Sequence, residues 1–234
     1  MTSAVTTERR GPALVCHLDD GKANALSKDV IAAIGRAVNE GAHDDAVAAV
    51  VVHGRPGRFC AGFDLDVMRG GDPGAVADLV CDGGDLVRAI YAAGVPVVAA
   101  CTGHALAAGA LVLLACDVRV GADIDCKIGL NEVAIGMVLP DWALTLATER
   151  LSKRHLQRAV ATARVTDGRG AVDAGFLDEV VAEGDVLDRA LAVAEELSAL
   201  DRRAYAGTVR AQRGGVLATL EAQVAADRAS GSTP

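Results

Sequence analysis

The chain has 234 residues and a formal net charge of −8, and 51% of it is apolar but only 3% aromatic. That length makes one large domain, or one with a small appendage, with a core built from Ala, Val and Leu. The acidic balance, with no Lys/Arg cluster, argues against a nucleic-acid surface, so an anionic small molecule would need a local patch or backbone N–H groups.

In chain order, "MTSAVTTERRGPALVCHLDDG" lacks the basic, apolar and small-residue regions of a signal peptide. Ala13 to Asp19 reads as a first strand. Ser27 is placed to cap a helix from about Lys28 to Glu40. Ala46 to Gly54 is a continuous apolar strand, buried on both sides, and the Gly-rich loop "GRPGRFCAGFDLD" follows. Helical periodicity resumes over Ala75 to Ala93, interrupted at "DGG". Val95 to Gly103 is another buried strand, leading through "HALAAG" into a helix from Gly109 to Cys116.

"DVRVGAD" and "CKIGL" read as short strands. "PDWALTLATERLS" opens a helix with Pro140 near its start and Asp141 in its first turn. "KRHLQRAVATA" is a helix, "RGAVDAG" begins another and "LDEVVAE" is a last short strand. Helices fill the rest: "DVLDRALAVAEELSAL", then Arg202 to about Arg228, before a tail "ASGSTP" predicted to be disordered. Apolar strands alternating with helices make an α/β protein with a largely parallel sheet, with helices after about residue 184.

The longest apolar run, Ala108 to Cys116, is too short to span a bilayer. Cys16, Cys60, Cys81, Cys101, Cys116 and Cys126 form no Cys-x-x-Cys pair and no Cys/His metal spacing, so they read as reduced core thiols. The expectation is a soluble cytoplasmic protein with no metal site and no nucleic-acid or membrane partner.

Phosphate-loop, dinucleotide, nucleophile-elbow and zinc-protease signatures are absent. His17, His53, His43 and His155 read as structural or surface residues. His104 sits in a strand-to-helix loop beside Gly103, where contact with a ligand is an open alternative. No Ser or Cys has a recognisable partner base. What remains is two loops of small residues, Arg58 to Asp66 and Gly103 to Val112, and the lone Glu132 in "KIGLNEVAIGMVLPDWA". Loops of this kind either pack tightly or let a ligand approach backbone N–H donors. An ionised carboxylate among Ile, Leu and Val is exposed at a turn, paired, or kept for chemistry.

"GKANALS", "GRFCAGFDLD", "GHALAAGALVLLACDVRVGAD", "IGLNEVAIGMVLP" and "AVDAGFLDEVV" resemble, in order and at the usual separations, the signature blocks of the crotonase (enoyl-CoA hydratase/isomerase) superfamily. The resemblance covers roughly residues 11 to 200. It implies a spiral of ββα units over residues 1–183 and a C-terminal helical region over 184–234 concerned with trimerisation. It also implies an acyl-CoA substrate with no separate cofactor, and a homotrimer or hexamer. By resemblance, the backbone N–H groups of Phe63 and Ala108 form an oxyanion hole. Lys22, Ala23, Ala61, Gly62, Asp64 and Leu65 meet the CoA thioester, although Asp64, like Asp117 and Asp123, also reads as a cap or loop residue.

Hydratases of this family use two glutamates to handle water. Here the later one is Glu132, while the earlier position is Leu111, which cannot orient water. The pair resembles the Δ3,Δ2-enoyl-CoA isomerases, in which one carboxylate moves a proton from C2 to C4. Leu111 and Trp142 would border the acyl pocket, with Trp142 equally readable as core. The alternatives are another activity of the family, hydration or thioester hydrolysis, and a non-catalytic acyl-CoA-binding subunit.

Overall fold

A computed structural model describes residues 3–231. Its elements are β1 (Val5–Arg10), β2 (Ala13–Leu18), α1 (Lys28–His43), β3 (Ala49–Gly54), β4 (Gly57–Cys60), α2 (Leu65–Met68), α3 (Pro73–Tyr91), β5 (Val97–Cys101), β6 (Gly103–Leu106), α4 (Ala108–Ala115), β7 (Val118–Ala122), β8 (Ile128–Gly129), α5 (Asp141–Arg150), α6 (Lys153–Val160), α7 (Gly168–Ala174), β9 (Glu179–Val181), α8 (Val186–Leu197) and α9 (Arg202–Ser230). Short 3₁₀ turns lie at Val133–Ile135 and Glu183–Asp185.

Six strands form one sheet in the order β1-β2-β3-β5-β7-β9, and β4-β6-β8 form a second. Among the described strands, β1 and β2 pair antiparallel and the other pairs are parallel. From β3 onward each ββ pair contributes one strand to each sheet, and this is the expected α/β spiral. The large sheet is apolar on both faces because both are covered. Val15, Val51, Val98 and Val120 meet Val186, Ala190 and Val193 of α8. Leu14, Val50, Val52 and Val97 belong to the main core with Ile34 of α1, Ile90 of α3 and Leu113 of α4.

Several boundaries differ from expectation for identifiable reasons. β1 escapes pattern reading because it is an edge strand with five of its six residues exposed. The apolar run Val95 to Gly103 divides at Thr102, one strand going to each sheet. The "loop" residues 57–60 and 103–106 are the paired strands of the smaller sheet.

α3 runs unbroken through Asp82-Gly83-Gly84, and the glycines serve packing there. A Cβ on Gly83 would lie 2.5 Å from the Phe63 ring, and one on Gly84 would lie 2.7 Å from Val224 and 3.1 Å from Trp142. The lost helix propensity, about 1 kcal/mol per glycine, is the cost of close contact with the loop at Phe63. The tail expected to be disordered begins later than read: α9 includes Ala229 and Ser230, ends at a left-handed Gly231, and residues 232–234 lie outside the described residues. Among the described residues no helix is long and apolar enough to cross a membrane.

α9 is fastened to the core by a buried ion pair. Arg213 donates to Asp117 Oδ1 at 2.5 Å and to the Tyr91 carbonyl at 2.9 Å, and its guanidinium lies 4.4 Å from the Tyr91 ring centre. Asp117 Oδ2 accepts from the Val97 N–H at the start of β5. Removing one member strands the other charge. Arg213→Met is therefore expected to lower the unfolding free energy by about 3–5 kcal/mol, read as a fall in the urea midpoint at unchanged slope.

Candidate functional site

Asn24, 3% exposed, anchors the loop before α1. Its amide donates to the carbonyls of Leu18, Arg58 and Phe59, and its Oδ1 accepts from Asp20 N–H. Its φ of +56° is one that Asn tolerates better than most residues. The loop so fixed pairs with the end of β4. Leu26 donates to the Gly62 carbonyl, and Asp64 donates to the Leu26 carbonyl. In such a parallel bridge the partner residue, here Phe63, turns its own N–H away from Leu26.

The second loop arrives from β6. Ala107 has φ +50° and ψ −125°, a conformation that costs a residue with a Cβ about 1–3 kcal/mol. It is held by its N–H donating to the Gly129 carbonyl and by its own carbonyl accepting from Ala110 and Leu111. Ala108 is the first residue of α4 and has helical backbone, so its N–H has no acceptor within the helix. The positive φ therefore falls on the residue before the expected donor, and an alanine can fill both places.

Gly62, at φ +94°, lets the loops touch. A Cβ there would lie 3.0 Å from the Leu106 carbonyl oxygen and 3.5 Å from the Ala108 nitrogen. The strand end at Gly62 is thus packed against the start of α4, the positive end of that helix.

Beside these loops lies a cavity of about 220 Å³. Its walls include Ala61, Phe63, Leu65, Leu111, Glu132 and Trp142, which the sequence singled out. Glu132 is 7% exposed and is the one acidic side chain among the described residues lining it. Its Oε2 is buried with no hydrogen-bond partner. Burial pushes its carboxyl up to about 7 from an ordinary 4.5, opposed only by its own backbone N–H. Of the alternatives for this residue, exposure and pairing are excluded by the geometry. Leu111 is 2% exposed, one turn into α4, and puts an aliphatic side chain in the same wall. Trp142 is both core and wall, at 1% exposure.

The other expected contacts sit just outside the cavity. Ala23 accepts from the Ala61 N–H, tying the early loop to this segment. Lys22 is exposed, its N–H bonded to Asp20 and its carbonyl to Arg55. Asp64 caps α2 by accepting from Asp66 N–H. Asp117 and Asp123 are occupied by Arg213 and Arg169. His104 Nδ1 accepts from Lys127 N–H, a structural role. His17 and His53 face each other at 2.9 Å between β2 and β3, away from the cavity walls.

Sequence reasoning missed Asn24, Ala107, Asn131 and the apolar walls supplied by Met68, Val80, Met137 and Val138. The Asn131 Oδ1 is a second buried oxygen without a partner in the cavity wall. Its place beside Glu132 was the one signal available.

The fold recurs in known proteins. Residues 10–232 match the family model described as enoyl-CoA hydratase/isomerase. A probable enoyl-CoA hydratase of Mycobacterium avium (strain 104) is 36% identical over 201 residues, covering 85% of this chain and 75% of that protein. An enoyl-CoA hydratase/isomerase family protein from Pseudomonas syringae superposes with a TM-score of 0.92 at 38% identity, covering 96% of both chains. Human mitochondrial delta3-delta2-enoyl-CoA isomerase superposes with a TM-score of 0.92 at 27% identity, covering 98% of this chain and 90% of that one. With the whole spiral and nearly the whole length matched, the chain belongs to the enoyl-CoA hydratase/isomerase family.

Proposed function

We propose that the protein converts 3-enoyl-CoA to 2-trans-enoyl-CoA, with Glu132 as its only proton carrier. The observation that carries this reading is a cavity with a single, unpartnered carboxyl group and an aliphatic Leu111 where a second carboxylate would be needed to handle water. Ionised Glu132 takes the C2 proton, and the electrons of that C–H bond pass into the conjugated system to give a dienolate. The developing negative charge on the thioester oxygen is met by the N–H groups of Phe63 and Ala108, each such donor being worth about 10²–10³ in rate. Glu132 then returns the proton at C4, the thioester carbonyl re-forms and the double bond lies between C2 and C3. Atoms balance without water, metal or cofactor.

A carboxyl group with a pKa of about 7 suits both halves of this cycle, because near neutrality it is a competent base and, once protonated, a competent acid. The largely apolar walls, Leu111 among them, disfavour water that would divert the intermediate. Lys22, Ala23 and the segment Ala61 to Leu65 are assigned to the CoA thioester. The assembly is assigned as a homotrimer or hexamer formed through residues 184–234, and the location as cytoplasmic.

Incubation with 3-hexenoyl-CoA is expected to give 2-hexenoyl-CoA, and Glu132→Gln to reduce the rate by about 10²–10⁴ or more. No isomerisation by wild type at any chain length would sink the reading. Release of 3-hydroxyacyl-CoA or of free CoA would replace it with hydration or hydrolysis, which the hydratase-named relative keeps in play.

The raised pKa makes two further predictions. The base must be ionised in the free enzyme, so kcat/KM should fall on the acid side of about pH 7 with unit slope. Stability should follow the opposite course. The unfolded carboxyl ionises near 4.5 and the folded one near 7, so the wild type loses stability as pH rises between those values. Glu132→Gln lacks this loss. Its advantage in urea unfolding should be absent below about pH 4.5 and reach about 3 kcal/mol above pH 7. Equal pH dependence of the two proteins would contradict the unpaired burial of Glu132.

A further inference from the structure

Among the described residues, four of the five large apolar side chains that are strongly exposed lie together: Leu65 (52%), Val133 (47%), Ile135 (55%) and Val138 (60%). Leu65, Ile135 and Val138 belong to the walls of the Glu132 cavity, so its apolar lining emerges at the surface. There it meets an open groove of about 380 Å³ lined by Val133, Met137, Val138, Leu139, Leu144 and Val160, together with Gly136. Met137 and Val138 are walls of both spaces.

We infer that this groove takes the distal part of a long acyl chain whose thioester end lies in the Glu132 cavity, so that the substrates are long-chain rather than short-chain acyl-CoAs. The inference rests on the reading of the cavity as an acyl-CoA site. Three observations select the occupant. The groove's lining residues carry no charged or polar side chain, so a peptide laid in it would leave backbone polar groups unpaired, whereas an alkyl chain has none. The cavity has to house the thioester and the reacting carbons in about 220 Å³, which leaves a long chain to continue elsewhere. The shared wall includes Met137, whose unbranched side chain can move aside more easily than any branched residue in the lining.

Binding of saturated hexanoyl-, decanoyl- and dodecanoyl-CoA, which cannot react, tests this by calorimetry below their micelle concentrations. Wild-type affinity is expected to rise roughly twofold per added methylene beyond hexanoyl, about half the logarithmic gain of full burial because the groove is open on one side. Val160→Lys, at the last residue of α6, and Val133→Ser, at an exposed site, alter the groove but not the cavity. Both should bind hexanoyl-CoA as wild type does and lose most of the chain-length gain. A wild-type affinity that is flat or falling beyond hexanoyl overturns the inference, as does full retention of the gain in both variants. A change in oligomeric state of Val160→Lys with the gain retained would assign the groove to a second copy of the chain and also overturn it. Chain-length-dependent binding with no turnover of 3-enoyl-CoA would support the groove while refuting the isomerase reading. Failure to bind any acyl-CoA would overturn both.

Discussion

The strand end Cys60–Gly62 and the helix start Ala107–Gly109 approach each other more closely than side chains normally allow. A Cβ on Gly109 would lie 2.2 Å from the Cys60 carbonyl oxygen, and one on Gly62 would lie 3.0 Å from the Leu106 carbonyl oxygen. Bulk at either place would separate β4 from α4, and with them the Phe63 and Ala107 walls of the cavity. Gly62 and Gly109 are therefore a steric requirement of the contact between the smaller sheet and α4. The strain at Ala107 has the same origin: the chain must turn from β6 into α4 within one residue.

The opposite wall answers a different demand. A partner for Glu132 would make its burial cheaper, and none is supplied. The 3₁₀ turn that follows it, closed by hydrogen bonds from Ile135 and Met137 to the Glu132 carbonyl, fixes the backbone and leaves the carboxyl group to the cavity. Desolvation alone then brings its proton affinity to neutrality. The unpartnered burial costs stability at this one position, while Asp117, Asp123 and Asp178 are all satisfied by arginines, and such a perturbed carboxyl in a cavity is what the proposed acid/base role requires.

Much of this was legible in the sequence because it rests on local or periodic signals. The buried strands from Ala49 and Val97, the Ser27 cap, the two small-residue loops and the isolation of Glu132 all show in residue type and spacing. Other features depend on tertiary contacts that leave no periodic trace. β1 is polar because it is an edge. Gly83 and Gly84 look like a helix break until Phe63, Trp142 and Val224 are seen to occupy the space of their missing side chains. Asn24 is an ordinary loop residue by pattern, and only its three carbonyl partners reveal it as the anchor of the loop that aligns Phe63.

The position of Leu111 follows from the same geometry. α4 begins at Ala108, so the side chain at 111 emerges one turn later, beside the helix's positive end and in the cavity wall. A carboxylate there would be drawn to that end and would bring water with it. With leucine, the charged side chains left in the wall are Glu132 and Arg69, and Glu132 is the one carboxylate. The isomerase proposed above rests on that difference: a second carboxylate at 111 would help to hold a water molecule, whereas the aliphatic side chain leaves Glu132 as the one carboxylate in the wall.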